Sequence, residues 1–290
     1  MRSELKVDVN AYRLIVSDID GTIKCSGAPI SDFTRKTLKS LKGRGMNFTL
    51  ASGRNLAGAR SVAEELDVEM PLILANGCIV QGLKGEPLFR ATLPEAITRE
   101  VITITEKLAF DLVLFVGSHL YFKHMTPNIE PIFGHLPEAC RQIGAWDGKF
   151  DRYEEVHKCM VLERSDHARL AKLDMIYADK FSGLADFYRT SVNHLEVMPL
   201  GVTKATGLEK LTEHLGISMD EVIALGDFNL RSTEEAYQRI ATVYHNVPDS
   251  EGHIDHIFLS HNLQMVNPVY VPAPESATDH PLLYATITWE

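Results

Sequence analysis

Leu14-Ile15-Val16-Ser17-Asp18-Ile19-Asp20-Gly21-Thr22 is the stretch from which the fold can be read. Its apolar start is strand-sized, and a polar cluster follows at once, as at the carboxyl end of a buried strand. Working outward, Ser31 is an N-cap candidate for a helix to Arg44, with Phe33, Thr37, Leu38 and Leu41 on one face and Gly43 and Gly45 as stops. Met46 to Ala51 reads as a second strand ending in Ser52-Gly53-Arg54, followed by a helix from Asn55 to Leu66. Pro71 to Ala75 reads as a third strand closed by Asn76-Gly77. Strand alternating with helix predicts a parallel sheet covered by helices, with its polar clusters at strand carboxyl ends, where such sheets bind ligands.

The rhythm changes after about residue 83. Pro94 to Ala109 carries Ile97, Val101, Ile104 and Leu108 on one helical stripe. Val113–Val116 and Leu120–Phe122 flank Gly117-Ser118-His119, a hairpin pattern. From Met125 to Arg189 the pattern weakens and assigns no element. Parallel-sheet signals resume with a helix opening at Thr203 or Lys204 and running to His214. A Ser218-x-x-Glu221 capping pattern then precedes the apolar run Val222–Leu225 and Gly226-Asp227. The expected architecture is α/β: a Rossmann-like core with a parallel sheet, built from residues 1–82 and 194–290, around an inserted α+β module at 83–193.

The chain has 290 residues, 45% hydrophobic and 23% charged, which is globular composition. Lys plus Arg against Asp plus Glu gives 29 − 39 = −10. That balance disfavours nucleic acid and anionic membranes as partners and leaves small molecules or proteins. Four scattered cysteines with no Cys-x-x-Cys pair fit a reducing compartment. Met1 to Lys6 has no apolar signal-peptide core, and no apolar run reaches membrane-spanning length. A cytoplasmic location is therefore expected.

Asp18 and Asp20 stand two apart beyond a buried strand, and the Gly21-Thr22 turn allows both carboxylates to converge on one pocket. Repulsion between them calls for a proton or a cation, and a hard divalent ion such as Mg²⁺ suits oxygen ligands. Asp227, again past a strand and a glycine, is a third acid for such a site. Lys204 and Ser52 add positive charge and a hydroxyl donor. Nucleophile, acid/base, metal and donors together are the equipment of phosphoryl transfer.

Asp18-Ile19-Asp20-Gly21-Thr22, Ser52-Gly53-Arg54, Asn76-Gly77, Gly201-Val202-Thr203-Lys204 and Gly226-Asp227 follow the order of the motifs of haloacid-dehalogenase-superfamily phosphatases. Over residues 12 to 260 the chain most resembles the Cof-type sugar-phosphate phosphatases, whose α/β cap is inserted between the second and third motifs. The resemblance implies that Asp18 is the nucleophile forming an aspartyl-phosphate, with Asp20 as acid and base. It implies Mg²⁺ held by Asp18, the Asp20 carbonyl and Asp227, with Ser52 and Lys204 on the phosphoryl oxygens. Thr22, Gly53, Arg54, Asn76 and Gly77 fall on the substrate side, the substrate being a small phosphorylated metabolite chosen by the cap.

The fourth motif departs from the family's Gly-Asp-x-x-Asn-Asp: the chain reads Gly226-Asp227-Phe228-Asn229-Leu230-Arg231. The second acidic position holds Arg231, or Leu230 if one residue is deleted, and three escapes are open: Arg231 turned outward, Asn229 in the asparagine role after a one-residue shift, or Glu234 as the missing acid. A binding or regulatory protein that has lost turnover is therefore a second reading, and a phosphomutase a third. His245, His253, His256 and His261 lack a closed zinc ligand set and read as loop histidines. Cys25 and Cys78 follow site motifs closely, yet packing accounts for them. Phe115, Tyr121 and Phe122 read as strand faces. Beyond Asn262, Pro268, Pro272, Pro274 and Pro281 argue against helix, and Leu282 to Trp289 reads either as an edge strand or as a loosely packed tail.

Overall fold

The computed structural model describes residues 12–24, 29–227, 244–246, 255–260, 265–271 and 282–287, with side chains described as far as residue 226. The first elements are β1 (Leu14–Ser17), α1 (Asp32–Lys42), β2 (Asn47–Leu50), α2 (Leu56–Glu65), β3 (Leu72–Leu74), β4 (Ile79–Gln81) and β5 (Phe89–Arg90). Next come α3 (Glu95–Lys107), β6 (Asp111–Val116), β7 (His119–Phe122), α4 (Glu130–Phe133), β8 (Cys140–Gln142), β9 (Val156–Leu162), α5 (His167–Phe181), β10 (Ala185–Ser191) and β11 (His194–Pro199). The last are α6 (Lys204–Leu215), β12 (Val222–Asp227), β13 (Tyr244–Asn246), β14 (Asp255–Ser260), β15 (Met265–Val271) and β16 (Leu282–Ile287). The chain divides into two compact units, residues 1–52, 61–88 and 203–290 in one, 53–60 and 89–202 in the other.

In the first unit β1 lies between β12 and β2, parallel to both. Ala51 extends the parallel set to Ile73 of β3 through a single bridge. All four residues of β1 are buried, because a strand inside a helix-covered sheet has no wet face. Beyond β12 the sheet continues with antiparallel β14 and β13. His245 and His256 therefore lie on strands rather than in the expected loop, while His253 and His261 fall outside the described residues. β15 and β16 form a separate antiparallel pair, so Leu282–Ile287 is a strand. The register of that pair slips between Val266 and Val269, where Pro268 has no N–H to offer.

Helix α1 begins as read: the Ser31 hydroxyl accepts the Thr34 N–H at 3.0 Å. Its apolar face is narrower than expected. Leu41 is buried, but Phe33 is 80% exposed. Steps of four residues overshoot a helical turn by about 40° each, so Phe33 lies about 80° around the axis from Leu41. The short turn before β12 carries the reciprocal Ser218–Glu221 capping box.

The second unit is a six-stranded sheet ordered β10-β11-β9-β6-β7-β8, antiparallel except between β7 and β8. The expected hairpin is β6–β7, turning at Gly117 with φ +57°. Strands β10 and β11 pair as a second hairpin, so this unit runs through Val202, past the residue-194 boundary read from sequence. Helices α3 and α5 bury Ile97, Val101, Leu173 and Tyr177 against one sheet face, over Leu114, Cys159 and Val197. Phe115, Phe122, Phe133 and Met160 form a cluster on the other face, so Phe115 and Phe122 are packing residues. Strand β9 is buried along its whole length, which erases the alternation that would have marked it in the sequence.

Next to Lys158 on β9, His157 is buried, its Nδ1 2.7 Å from the Ala91 carbonyl oxygen. Burial holds its pKa below the ordinary 6.5. The unfolded chain therefore takes up a proton near pH 6.5 that the folded chain refuses, and stability is lost as pH falls below that value. Urea denaturation at pH 7.5 and pH 5.5 should show a lower midpoint at the acidic pH, and His157→Gln should shrink the difference.

Candidate active site

Parallel pairing brings the carboxyl ends of β12, β1, β2 and β3 to one edge of the first unit, and backbone hydrogen bonds stitch that edge together. The Asp18 N–H donates to the Leu225 carbonyl at 2.9 Å, Ala51 N–H to Ser17 at 2.9 Å, and Ser52 N–H to Ile73 at 2.8 Å. Asn76 N–H then donates to the Ser52 carbonyl at 3.0 Å. The backbones of Asp18, Ser52 and Asn76 are thus tied to neighbouring strand ends, and all three residues are buried.

The central side-chain contact joins Asp18 Oδ2 to Lys204 Nζ at 3.1 Å, with side chains only 7% and 4% exposed. Asp18 Oδ1 accepts the Ile19 N–H at 2.7 Å. Lys204 is the first residue of α6, where a cation opposes the helix dipole. A carboxylate at the same helix end offsets that opposition. Thr203 caps the helix reciprocally with Thr206.

Two glycines set this geometry. Gly77 has φ +98°, and a Cβ there would lie 1.9 Å from the Thr203 carbonyl oxygen, so the turn after β3 presses directly on the backbone that carries Lys204. Gly226 has φ +100°, and a Cβ there would lie 2.3 Å from Thr22 Oγ1 and 2.8 Å from Asp18 Cβ. The β12 terminus therefore runs against both Asp18 and the Thr22 turn. Ala75 and Asn76 also have positive φ, 48° and 56°, outside the range that alanine favours. Such strain, on the order of 1–3 kcal/mol per residue, persists only where the surroundings enforce it and clusters at functional sites.

Other expected site residues are placed as follows. Asp18 is buried but Asp20 is exposed, in a turn closed by Lys24 N–H to the Ile19 carbonyl at 2.9 Å. Two carboxylates in unlike surroundings suit unlike roles. Thr22 is exposed. Arg54 donates to the Gly58 carbonyl at 2.9 Å, a local partner. Helix α2 is capped by Asn55, whose Oδ1 accepts the Gly58 N–H at 3.0 Å. The Gly53 carbonyl accepts from Lys158 at 2.9 Å, a partner that nothing in the local sequence signals. Asp227 ends β12, and its side chain lies outside the described residues, as do Cys25, Asn229, Leu230, Arg231 and Glu234. Cys78 is fully buried.

Among the described residues no three His, Cys, Asp or Glu side chains stand close enough to hold a metal. Asp18 and the Asp20 backbone offer hard oxygen donors, and Gly226 brings the β12 main chain against Asp18 one residue before Asp227. This donor chemistry fits a hard divalent cation.

A family model for haloacid dehalogenase-like hydrolases matches residues 15–229. The chain belongs to that family. It is Cof-type, and relatives that it resembles are phosphatases. An HMP-PP phosphatase of Yersinia pseudotuberculosis is 28% identical over 218 residues, 74% of this chain and 77% of that protein. The solved structure of a haloacid dehalogenase-like hydrolase from Bacteroides thetaiotaomicron superimposes with a TM-score of 0.67 at 25% identity, covering 74% of this chain and 82% of that one. A sugar phosphatase of subclass IIB, BT4131, shares the fold at a TM-score of 0.60 and 16% identity, over 80% of this chain and 84% of its own. Among the described residues no helix is long and apolar enough to cross a membrane.

The two kinds of glycine constraint are separable. Gly85 has φ +91° with nothing within 4 Å of a Cβ, so Gly85→Ala should cost about 1 kcal/mol from backbone strain alone. Gly77→Ala adds a backbone collision and should cost about 3 kcal/mol or more. Urea midpoints of the two variants check the ordering.

Proposed function

We propose that this hydrolase is a Mg²⁺-dependent phosphatase of small phosphorylated metabolites, sugar phosphates foremost, acting through an aspartyl-phosphate on Asp18. The observation that carries the reading is the buried Asp18–Lys204 pair at the carboxyl edge of the parallel strands. Lys204 favours the ionised form of Asp18 needed for attack, and the Ile19 N–H holds one carboxylate oxygen in place. When phosphate ester is bound, Lys204 neutralises charge on its oxygens, and the Ser52 hydroxyl donates to another of them. Exposed Asp20 is free of the burial that constrains Asp18, and it protonates the leaving oxygen and later takes a proton from water. Thr22, Gly53, Arg54, Asn76 and Gly77 border the substrate.

Asp18, the Asp20 carbonyl and Asp227 would hold Mg²⁺, which when bound supplies positive charge for the phosphoryl oxygens. The second unit serves as the cap that selects the leaving group, and the enzyme works in the cytoplasm on small molecules rather than on nucleic acid or at membranes. The similarity to an HMP-PP phosphatase and a sugar phosphatase supports a phosphate ester as substrate. Arg231 in the fourth motif favours one second reading, a family member that binds phosphorylated ligands without turnover.

Turnover of an aryl phosphate and a panel of sugar phosphates, with Mg²⁺ and with chelator, separates the readings. We expect chelator to abolish turnover and Asp18→Asn to lower kcat by about a thousandfold or more. Activity unchanged in Asp18→Asn would sink the mechanism. Absence of turnover across the panel, with phosphorylated compounds still bound, would favour the binding protein.

A further inference from the structure

Lys158 is a lysine on a strand with no wet face. Its side chain is 1% exposed, and Nζ lies 2.9 Å from Glu196 Oε1, whose side chain is 5% exposed. Nζ also donates to the Gly53 carbonyl at 2.9 Å and stands 4.4 Å above the Phe115 ring. Register explains the cluster. Phe115 faces Lys158 across β6 and β9, and Glu196 faces Met160 across β9 and β11, so all four point to the same sheet face. An apolar cluster lies on that face beside the pair: Val113, Leu120, Phe122, Ile129, Phe133 and Leu162.

A buried ion pair in such a setting is seldom worth more than an apolar pair of the same volume. Packing therefore gives no reason to have charge here. What the charge does that a methionine cannot is hold the carbonyl of Gly53. The chain passes from the first unit into the second between Ser52 and Gly53 and returns after Arg60, so the held carbonyl is the first in the second unit. A second tie follows at once: Asn55 Nδ2 donates to the Ser118 carbonyl at 2.8 Å. Asn55 also caps α2, so the segment from Gly53 to the first turn of that helix is anchored at both ends.

We infer that the Lys158–Glu196 pair is a positioning device: by fixing the Gly53 carbonyl it sets the backbone immediately after Ser52, and with it the aim of the Ser52 hydroxyl. The catalytic part of this inference rests on the phosphatase reading above; the positioning part does not. Lys158 touches no substrate in this scheme and acts only through the main chain at 52–54.

Lys158→Met alone leaves Glu196 buried without its cation and is apt to unfold the chain, so the test is the double variant Lys158→Met/Glu196→Leu. Its thermal midpoint should stay close to that of the wild type. On an aryl phosphate with Mg²⁺, kcat should fall about tenfold or more while KM stays within about twofold, the pattern of a lost transition-state contact. Amide hydrogen exchange at residues 53–56 should speed up while the rest of the sheet keeps its protection. If the double variant does not fold, Lys158→Met/Glu196→Gln, which removes the donor to Gly53 without leaving a buried carboxylate, is read by the same two measurements. Unchanged exchange at 53–56 overturns the inference, and so does unchanged kcat in a protein that turns over. Should the wild type hydrolyse no phosphate ester, the phosphatase reading fails separately, and the exchange measurement alone decides the positioning role.

Discussion

Two opposite charges taken almost wholly out of water, Asp18 and Lys204, are the constraint around which the first unit is arranged. Desolvating such a pair costs several kcal/mol per ion, and only close geometry with further hydrogen bonds offsets the loss. Each partner is accordingly fixed from behind. Asp18 is held by β1 between two parallel neighbours and by the Ile19 N–H. Lys204 is held by a capped helix start pressed against Gly77, while Gly207 one turn later lets the helix approach Ile73 and Gly77 closely. A Cβ on Gly207 would stand 2.5 Å from Ile73 Cγ2. The positive-φ turn at Ala75–Gly77 is best understood as the consequence of this approach: the chain leaving β3 must bend sharply to meet the α6 backbone.

The parallel half of the fold was legible because each of its signals is local. A buried strand such as Leu14–Ser17 shows as an apolar run, and its functional end shows as an abrupt polar cluster. Ser31 and Thr203 announce helix starts by their side-chain chemistry, and the Ser218–Glu221 box does the same over a single turn. Asp18, Ser52, Asn76 and Lys204 come to one edge because parallel strands share a direction, which sequence order alone implies. Legibility failed where tertiary partners decide. Phe33 has the spacing of a core residue, but a helix that buries only Leu41 leaves it in water. Strand β9 has no alternation because both faces are covered. Lys158 looks like any strand lysine until Glu196, 38 positions away, and Gly53, 105 positions away, are brought to it.

The two buried ion pairs differ in a way that bears on function. Around Lys158 the lysine meets a carboxylate, a carbonyl and a ring face, so its hydrogen-bonding capacity is spent on fixed protein groups and its carboxylate partner has no reaction to perform. Such an arrangement favours rigidity. Lys204 faces a carboxylate at the open end of a parallel sheet, the place where ligands enter this class of fold. On the phosphatase reading an incoming phosphate would share the lysine with Asp18, and the cation that stabilises the resting carboxylate would also stabilise the charge that develops on the ligand. On these two proposals, one pair holds geometry and the other exchanges partners.

Net charge is then a weak guide to what such a protein binds. A chain with ten more acidic than basic side chains repels polyanions at a distance, over a Debye length of about 8 Å in physiological salt. Within such a site the effective dielectric is lower and the relevant charges are few, so on the phosphatase reading one buried lysine and a divalent cation would outweigh the distant surface. The same acidity that disfavours a nucleic-acid backbone leaves a small phosphate ester unaffected once it has reached the strand ends. On the phosphatase reading, selectivity for small anions over polyanions would follow from where the positive charge is kept: buried and backed by a helix start, rather than spread over a face.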